Sequence, residues 1–315
     1  YRTEDEMRET PTTFTSAGLT LAGTLATPDT DGPFPAALLL PGSGPLDRDG
    51  NIKRMSLNVS RELAQILADL GWASFRYDKR GVAHSEGEYL PTGFEDELAD
   101  AEAARDWLSA CEDTGQIVVI GHSAGAVHAA SLAGLEPGID GAILLAATAK
   151  TGEETLRWQA RKIGDDLVPG PAKALMRLFR TDVLKQQDSA IRKLKATTDD
   201  VARIQLQKVN AKWMREFIAF DPKPALAAAT APILAITGSK DVQVDPADLP
   251  VIESTAPRAQ TLAVPDLDHI LRHEPAAISN PRHYGKQAKK PIDPRVIEAI
   301  TSWLAERRLS ELPQD

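Results

Sequence analysis

Residues 117–126 read Ile-Val-Val-Ile-Gly-His-Ser-Ala-Gly-Ala. A short, continuous apolar run meets two glycines that bracket Ser123, and small residues follow. Four apolar residues in a row suit a strand buried on both faces. The residues from 124 to 133 suit a helix of small side chains. A serine at a sharp strand–turn–helix junction is pushed into an unfavourable backbone conformation and exposed, with the helix N-terminus favouring negative charge nearby. Small residues at 121 and 125 let the flanking backbone pass close. The alternative is a plain tight turn, so the reading depends on what the rest of the chain supplies.

The pattern around this stretch alternates strand and helix. A hairpin is expected over 12–16 and 19–27, after a loose polar lead-in at 1–10. Strands are expected at 36–40, 72–77, 117–120, 141–146, 233–237 and 261–264. Helices are expected at 58–70, 94–110, 124–133, around 247–254 and at 294–308. Such alternation means a mostly parallel sheet flanked by helices. Between about 149 and 230 it stops. Helical signals dominate there (153–163, 171–179, 182–195, 199–220) and no strand is evident. This block is expected to be an inserted helical cap, with the core formed by 11–148 and 231–310.

A serine hydroxyl needs a base and an orienting group. Among six histidines, His269 is favoured, because it follows the last expected strand by five residues. His273 ranks second. His122 adjoins the serine and should point away from its hydroxyl, and His84 is expected at the surface. For the orienter, Gly-Ser-Lys-Asp at 238–241 presents Asp241 at a strand end. Asp245 and Asp248 are alternatives, although Pro246 makes Asp245 a cap candidate. Asp268 is too close to His269 in sequence. The order Ser123, Asp241, His269 is the one expected for this kind of elbow. An oxyanion site needs N–H donors. The amide of Ala124 is one, and Ser43, in the glycine-rich loop after the third strand, is the candidate for the other.

Composition excludes some functions. The chain has 315 residues, 42% hydrophobic, with a net charge of −9. That is enough for a large core and gives no domain-wide basic footprint for nucleic acid. No apolar run reaches the roughly 20 residues of a membrane helix. Cys111 is the single cysteine, which rules out an intrachain disulfide or thiolate cluster. No signal-peptide pattern is read from Tyr1 onward, so a soluble protein is expected with its compartment open. No metal or cofactor is expected. The partner is expected to be a small-molecule substrate, and the oligomeric state is open.

Five motifs now carry a family resemblance: PGSGPLDRDGN (41–51), FRYDKRGVAHS (75–85), GHSAGA (121–126), GSKDVQV (238–244) and LDHILR (267–272). Over residues 12–309 the chain resembles the α/β-hydrolase superfamily, and within it bacterial serine esterases of the EstD-like group. The resemblance implies the α/β-hydrolase fold with an inserted cap, and hydrolysis of short- to medium-chain esters without a cofactor. The chain departs from it at Pro41, where many hydrolases carry His, and at His84, where glycine is usual. Asp47, Arg48 and Asp49 are expected to form an ion-pair network that holds the oxyanion loop. The cap should set substrate choice, although its apolar residues (Leu156, Trp158, Leu175, Phe179, Trp213, Met214 and Phe217) fit helix packing as well as an acyl pocket. The same triad also fits acyl transfer or peptide cleavage, and a hydrolase-like binding protein is the non-catalytic alternative.

Overall fold

A computed structural model describes residues 7–135, 138–172, 176, 182–204 and 207–309. The strands are β1 (Met7–Ser16), β2 (Leu19–Pro28), β3 (Phe34–Leu40), β4 (Ala73–Tyr77), β5 (Thr114–His122), β6 (Gly141–Leu145), β7 (Val201–Ile204), β8 (Gln207–Asn210), β9 (Ile233–Gly238) and β10 (Ala259–Val264). The helices are α1 (Val59–Asp69), α2 (Phe94–Ser109), α3 (Ala124–Leu132), α4 (Gly152–Lys162), α5 (Val183–Ala196), α6 (Ala211–Ala219), α7 (Pro222–Ala228), α8 (Leu249–Thr255), α9 (Tyr284–Gln287) and α10 (Pro294–Leu309).

Eight strands form one sheet in the order β1-β2-β4-β3-β5-β6-β9-β10. β3 to β6, β9 and β10 run parallel, and the β1–β2 hairpin joins β4 antiparallel. The reason lies in the apolar runs. Ala36, Leu38, Ile117 and Val119 pack into one face with α2, α3, α7 and α8. Ala37, Leu39, Val118 and Ile120 pack into the other with α1 and α10. A strand buried on both faces has no polar alternation, and helical crossovers are what cover two faces of a parallel sheet.

Residues 7–10 are not a loose lead-in. They continue β1, with Met7 paired to Pro28 and Thr10 to Leu25. The segment between the neighbouring parallel strands β6 and β9 carries α4 to α7. It also contains strands that the sequence reading did not expect. β7 and β8 form an antiparallel hairpin where a single helix was expected over 199–220. β-branched Val201, Ile204 and Val209 favour extended backbone. Ala202, Ile204 and Val209 pack on Ile191, Leu194 and Ile218. Among the described residues of that expected helix, only α6 is helical. The helix expected over 171–179, with Leu175 and Phe179, lies largely outside the described residues.

Asn210 anchors this inserted segment. Its side-chain oxygen caps α6 at the Trp213 amide, and its nitrogen donates to the Thr92 carbonyl at 2.6 Å. Trp213 and Phe217 pack against Phe94, Ala124 and Val127 on the core. No helix among the described residues is long and apolar enough to cross a membrane.

Candidate active site

β5 delivers Ser123 to the N-terminus of α3 with φ 56° and ψ −117°. Left-handed backbone at a non-glycine residue is strained, and such strain persists only where its surroundings enforce it. Here close packing enforces it. A Cβ at Gly121 would lie 2.1 Å from the Gly125 carbonyl oxygen, and one at Gly125 would lie 2.2 Å from that of Leu40. Both positions therefore need glycine, and α3 is pressed against the end of β3. The Ala124 amide is the first of the helix, so it has no acceptor within it.

The loop after β9 presents Asp241, which is 1% exposed. Its Oδ1 accepts from the amides of Gln243 and Val244 at 2.7 and 2.9 Å. Its Oδ2 lies 2.8 Å from Nδ1 of His269, in the loop after β10. One carboxylate oxygen is thus spent on the loop's own geometry, and the other is free for the imidazole. The alternatives are engaged elsewhere. Asp245 and Asp248 pair with Lys150. Asp268 turns its Oδ1 to the amides of Ile270 and Arg272. Burial pushes the Asp268 carboxyl up to about 6. His273 is exposed, and the His84 side chain is 81% exposed.

His122 has a position that sequence did not give. Its Nε2 lies 2.7 Å from the main-chain carbonyl of His269. A carbonyl only accepts, so Nε2 carries the proton and donates. The strand bearing the candidate nucleophile is thereby tied to the loop bearing the candidate base. Burial, then the neighbouring His269, pulls the His122 imidazole down to about 4, so it stays neutral near pH 7. A histidine next to a serine in sequence carries no signal of this bond.

Ser123, His122, His269, Gly42 and Ser43 open onto one cavity of ≈ 160 Å³. Its apolar walls come from Leu46, Ile52, Met55 and Leu57 of the β3–α1 connection and from Ile270 and Tyr284, against which Met55 and Leu57 pack. No described residue of 149–230 lines it. Trp213 and Phe217 pack on Phe94 of α2 and on Ala124 and Val127 of α3.

The loop bearing Ser43 is held from outside rather than by pairing within Asp47, Arg48 and Asp49. Arg48 forks onto Asp78, with Nη2–Oδ2 2.6 Å and Nε–Oδ1 3.1 Å. Burial would raise the Asp78 carboxyl, but Arg48 outweighs it and the pKa is lowered. Asp49 accepts from Arg76 at 2.8 Å. Asp47 accepts the amides of Asp49 and Asn51 and closes the turn.

A mostly parallel sheet with a strained serine after β5, and a buried carboxylate–imidazole pair from the loops after β9 and β10, is the architecture of an α/β hydrolase. Comparison with known proteins places the chain within that class. It belongs to the serine aminopeptidase, S33 (Hydrolase_4) family, whose model matches residues 55–276. It is 28% identical over 287 residues to esterase EstD of Thermotoga maritima, an alignment covering 90% of this chain and 65% of that relative's length. Among solved structures it resembles the ferulic acid-bound Est1E of Butyrivibrio proteoclasticus, with TM-score 0.66, 16% identity, and 95% and 99% of the two chains covered. It also resembles the proline iminopeptidase of Mycobacterium smegmatis, with TM-score 0.65, 14% identity, and 96% and 99% covered.

Proposed function

We propose that the chain is a serine hydrolase of carboxylic esters that works through an acyl-enzyme on Ser123. One observation carries the reading: Ser123 and His269 face one apolar-walled cavity, and Asp241 holds the far side of the imidazole. In the first step Nε2 of His269 takes the hydroxyl proton as Ser123 Oγ attacks the ester carbonyl. Asp241 keeps the tautomer with Nδ1 protonated and stabilises the imidazolium that forms. The amides of Ala124 and Ser43 receive the oxyanion. His269 then gives its proton to the leaving alcohol. Water enters, loses a proton to His269, and releases the acid. No step calls for a metal or cofactor. In this reading 11–148 and 231–310 carry the chemistry, and 149–230 is a cap seated on them.

The similarity to esterase EstD supports the ester substrate. An aminopeptidase needs an anionic group for the free amine, and no carboxylate is among the described residues lining this cavity. The small apolar-walled volume fits compact acyl groups. Hydrolysis of p-nitrophenyl esters from acetate to palmitate should therefore peak at short to medium chains. Ser123→Ala should lower kcat by several orders of magnitude. Equal rates for the two proteins would sink the nucleophile assignment. A transesterified product with an added alcohol would move the reading toward acyl transfer.

A further inference from the structure

We propose that Lys79 is a positioning residue of the oxyanion hole, acting through the peptide that joins Gly42 to Ser43. The inference rests on the serine-hydrolase reading and adds a part to it. Lys79 follows β4 in the Tyr-Asp-Lys-Arg-Gly turn and is 6% exposed. Buried ammonium groups are rare, and taking one out of water costs several kcal/mol before its partners offset this. Its two bonds show where it is directed. Nζ donates to Glu97 Oε1 at 2.8 Å and to the Gly42 carbonyl at 2.7 Å.

The second bond matters for the chemistry. The Gly42–Ser43 peptide is not among the cis bonds, and in a planar trans peptide the C=O and the following N–H point in opposite directions. Drawing the Gly42 oxygen into the interior therefore turns the Ser43 N–H away from it. Ser43 lines the cavity together with Ser123 and His269. The peptide stands close to the nucleophile: a Cβ at Gly42 would lie 3.2 Å from Ser123 Cβ. An ammonium on the carbonyl also polarises the amide, so its N–H becomes a stronger donor to a developing oxyanion.

The charge is held in place from the other side. Trp213 Nε1 of α6 donates to Glu97 Oε2 at 3.0 Å, and His128 Nε2 stands 3.6 Å from the same oxygen. Burial would lift the Glu97 carboxyl, but the Lys79 ammonium and then His128 outweigh it, bringing it to about 2. A hydrophobic pair of similar size would fill the same space at little cost or with a gain in stability. Packing alone does not require a cation under this carbonyl.

The test is a doubly neutral variant, Lys79→Met with Glu97→Gln, which leaves no ion buried alone. Steady-state kinetics on a p-nitrophenyl ester are paired with inhibition by an alkyl boronic acid, whose tetrahedral serine adduct places an oxygen in the oxyanion site. Losing an oxyanion donor outright costs about 10²–10³ in kcat; a misaimed one should cost about 10–100-fold. KM should move less than about threefold, and the boronate should weaken by the same factor as kcat/KM. A folded variant with kcat and boronate affinity within about threefold of wild type overturns the proposal. So does a loss confined to KM with the boronate unaffected. If the double variant does not fold, Lys79→Arg is read by the same ratio. It keeps the charge but displaces the donor from the Gly42 oxygen, so kcat and boronate affinity should fall together several-fold, and unchanged values overturn the proposal. If wild type neither hydrolyses esters nor reacts at Ser123 with a fluorophosphonate, the parent reading fails and this inference falls with it.

Discussion

At the scale of single residues, the site depends on which atoms are already engaged. Asp241 gives one oxygen to two backbone amides and the other to His269. Asp241→Asn keeps the shape, but its amide can donate to Nδ1 and favour the wrong tautomer. It should lower kcat by about 10³–10⁴ with KM little changed, a split read directly from initial rates. A drop seen mostly in KM would mean that Asp241 holds the loop rather than the imidazole. The three proposed triad residues were legible in sequence because each follows a strand end, and strand ends converge on one edge of a parallel sheet. His122 and Lys79 were not. Their partners lie 147 and 37 residues away and become neighbours only once the strand order and register are set.

At the scale of elements, apolar runs were readable where burial was two-sided. β3 and β5 carry it in consecutive residues such as Ala37–Leu38–Leu39 and Ile117–Val118–Val119. The β7–β8 hairpin was not readable, since four-residue strands hold too few positions to set a period against a neighbouring helix. The cavity wall was missed for a related reason. Leu46, Ile52, Met55 and Leu57 sit in a connection with no periodicity, and only the fold turns them to one side. Four apolar side chains in a non-periodic loop are the signal that would have found it. Met55→Ala should shift the preferred p-nitrophenyl ester toward longer acyl chains, and Met55→Trp toward acetate. An unchanged profile in both variants would place the acyl group elsewhere. The seat of α6 is testable by stability. Phe217→Ala removes a buried ring from the cluster around Phe94 and should cost about 3 kcal/mol, read from urea unfolding with limited proteolysis inside 149–230.

For the whole molecule, buried titratable groups set the acid limit. His122 lies at about 4 in the fold, below its ordinary value. Its contribution is therefore present above about pH 6.5 and is lost as pH falls through 4. Asp268, raised to about 6, has the opposite sign. It adds stability as pH falls from 6 toward 3.8. The two oppose each other across that interval, and His128, likewise lowered by burial, adds to the loss on acidification. Glu97, lowered to about 2, acts further down. Its contribution is present above about pH 4.5 and lost as pH falls through 2, so urea midpoints should drop steeply below about pH 4.5. The Lys79→Met, Glu97→Gln variant should lose part of that drop. An unchanged acid profile in that variant would mean that the Glu97 carboxylate adds nothing to stability above pH 4.5. The β3–α1 connection has a further consequence. One stretch of chain supplies both Ser43 beside the nucleophile and most of the apolar wall. Selection for a new acyl preference within that stretch also perturbs the proposed oxyanion donor, so gains in range should come with losses in speed. Tyr284 lines the cavity from outside that stretch, and a directed-evolution campaign that diversifies it first should reach new substrates with fewer compensating changes.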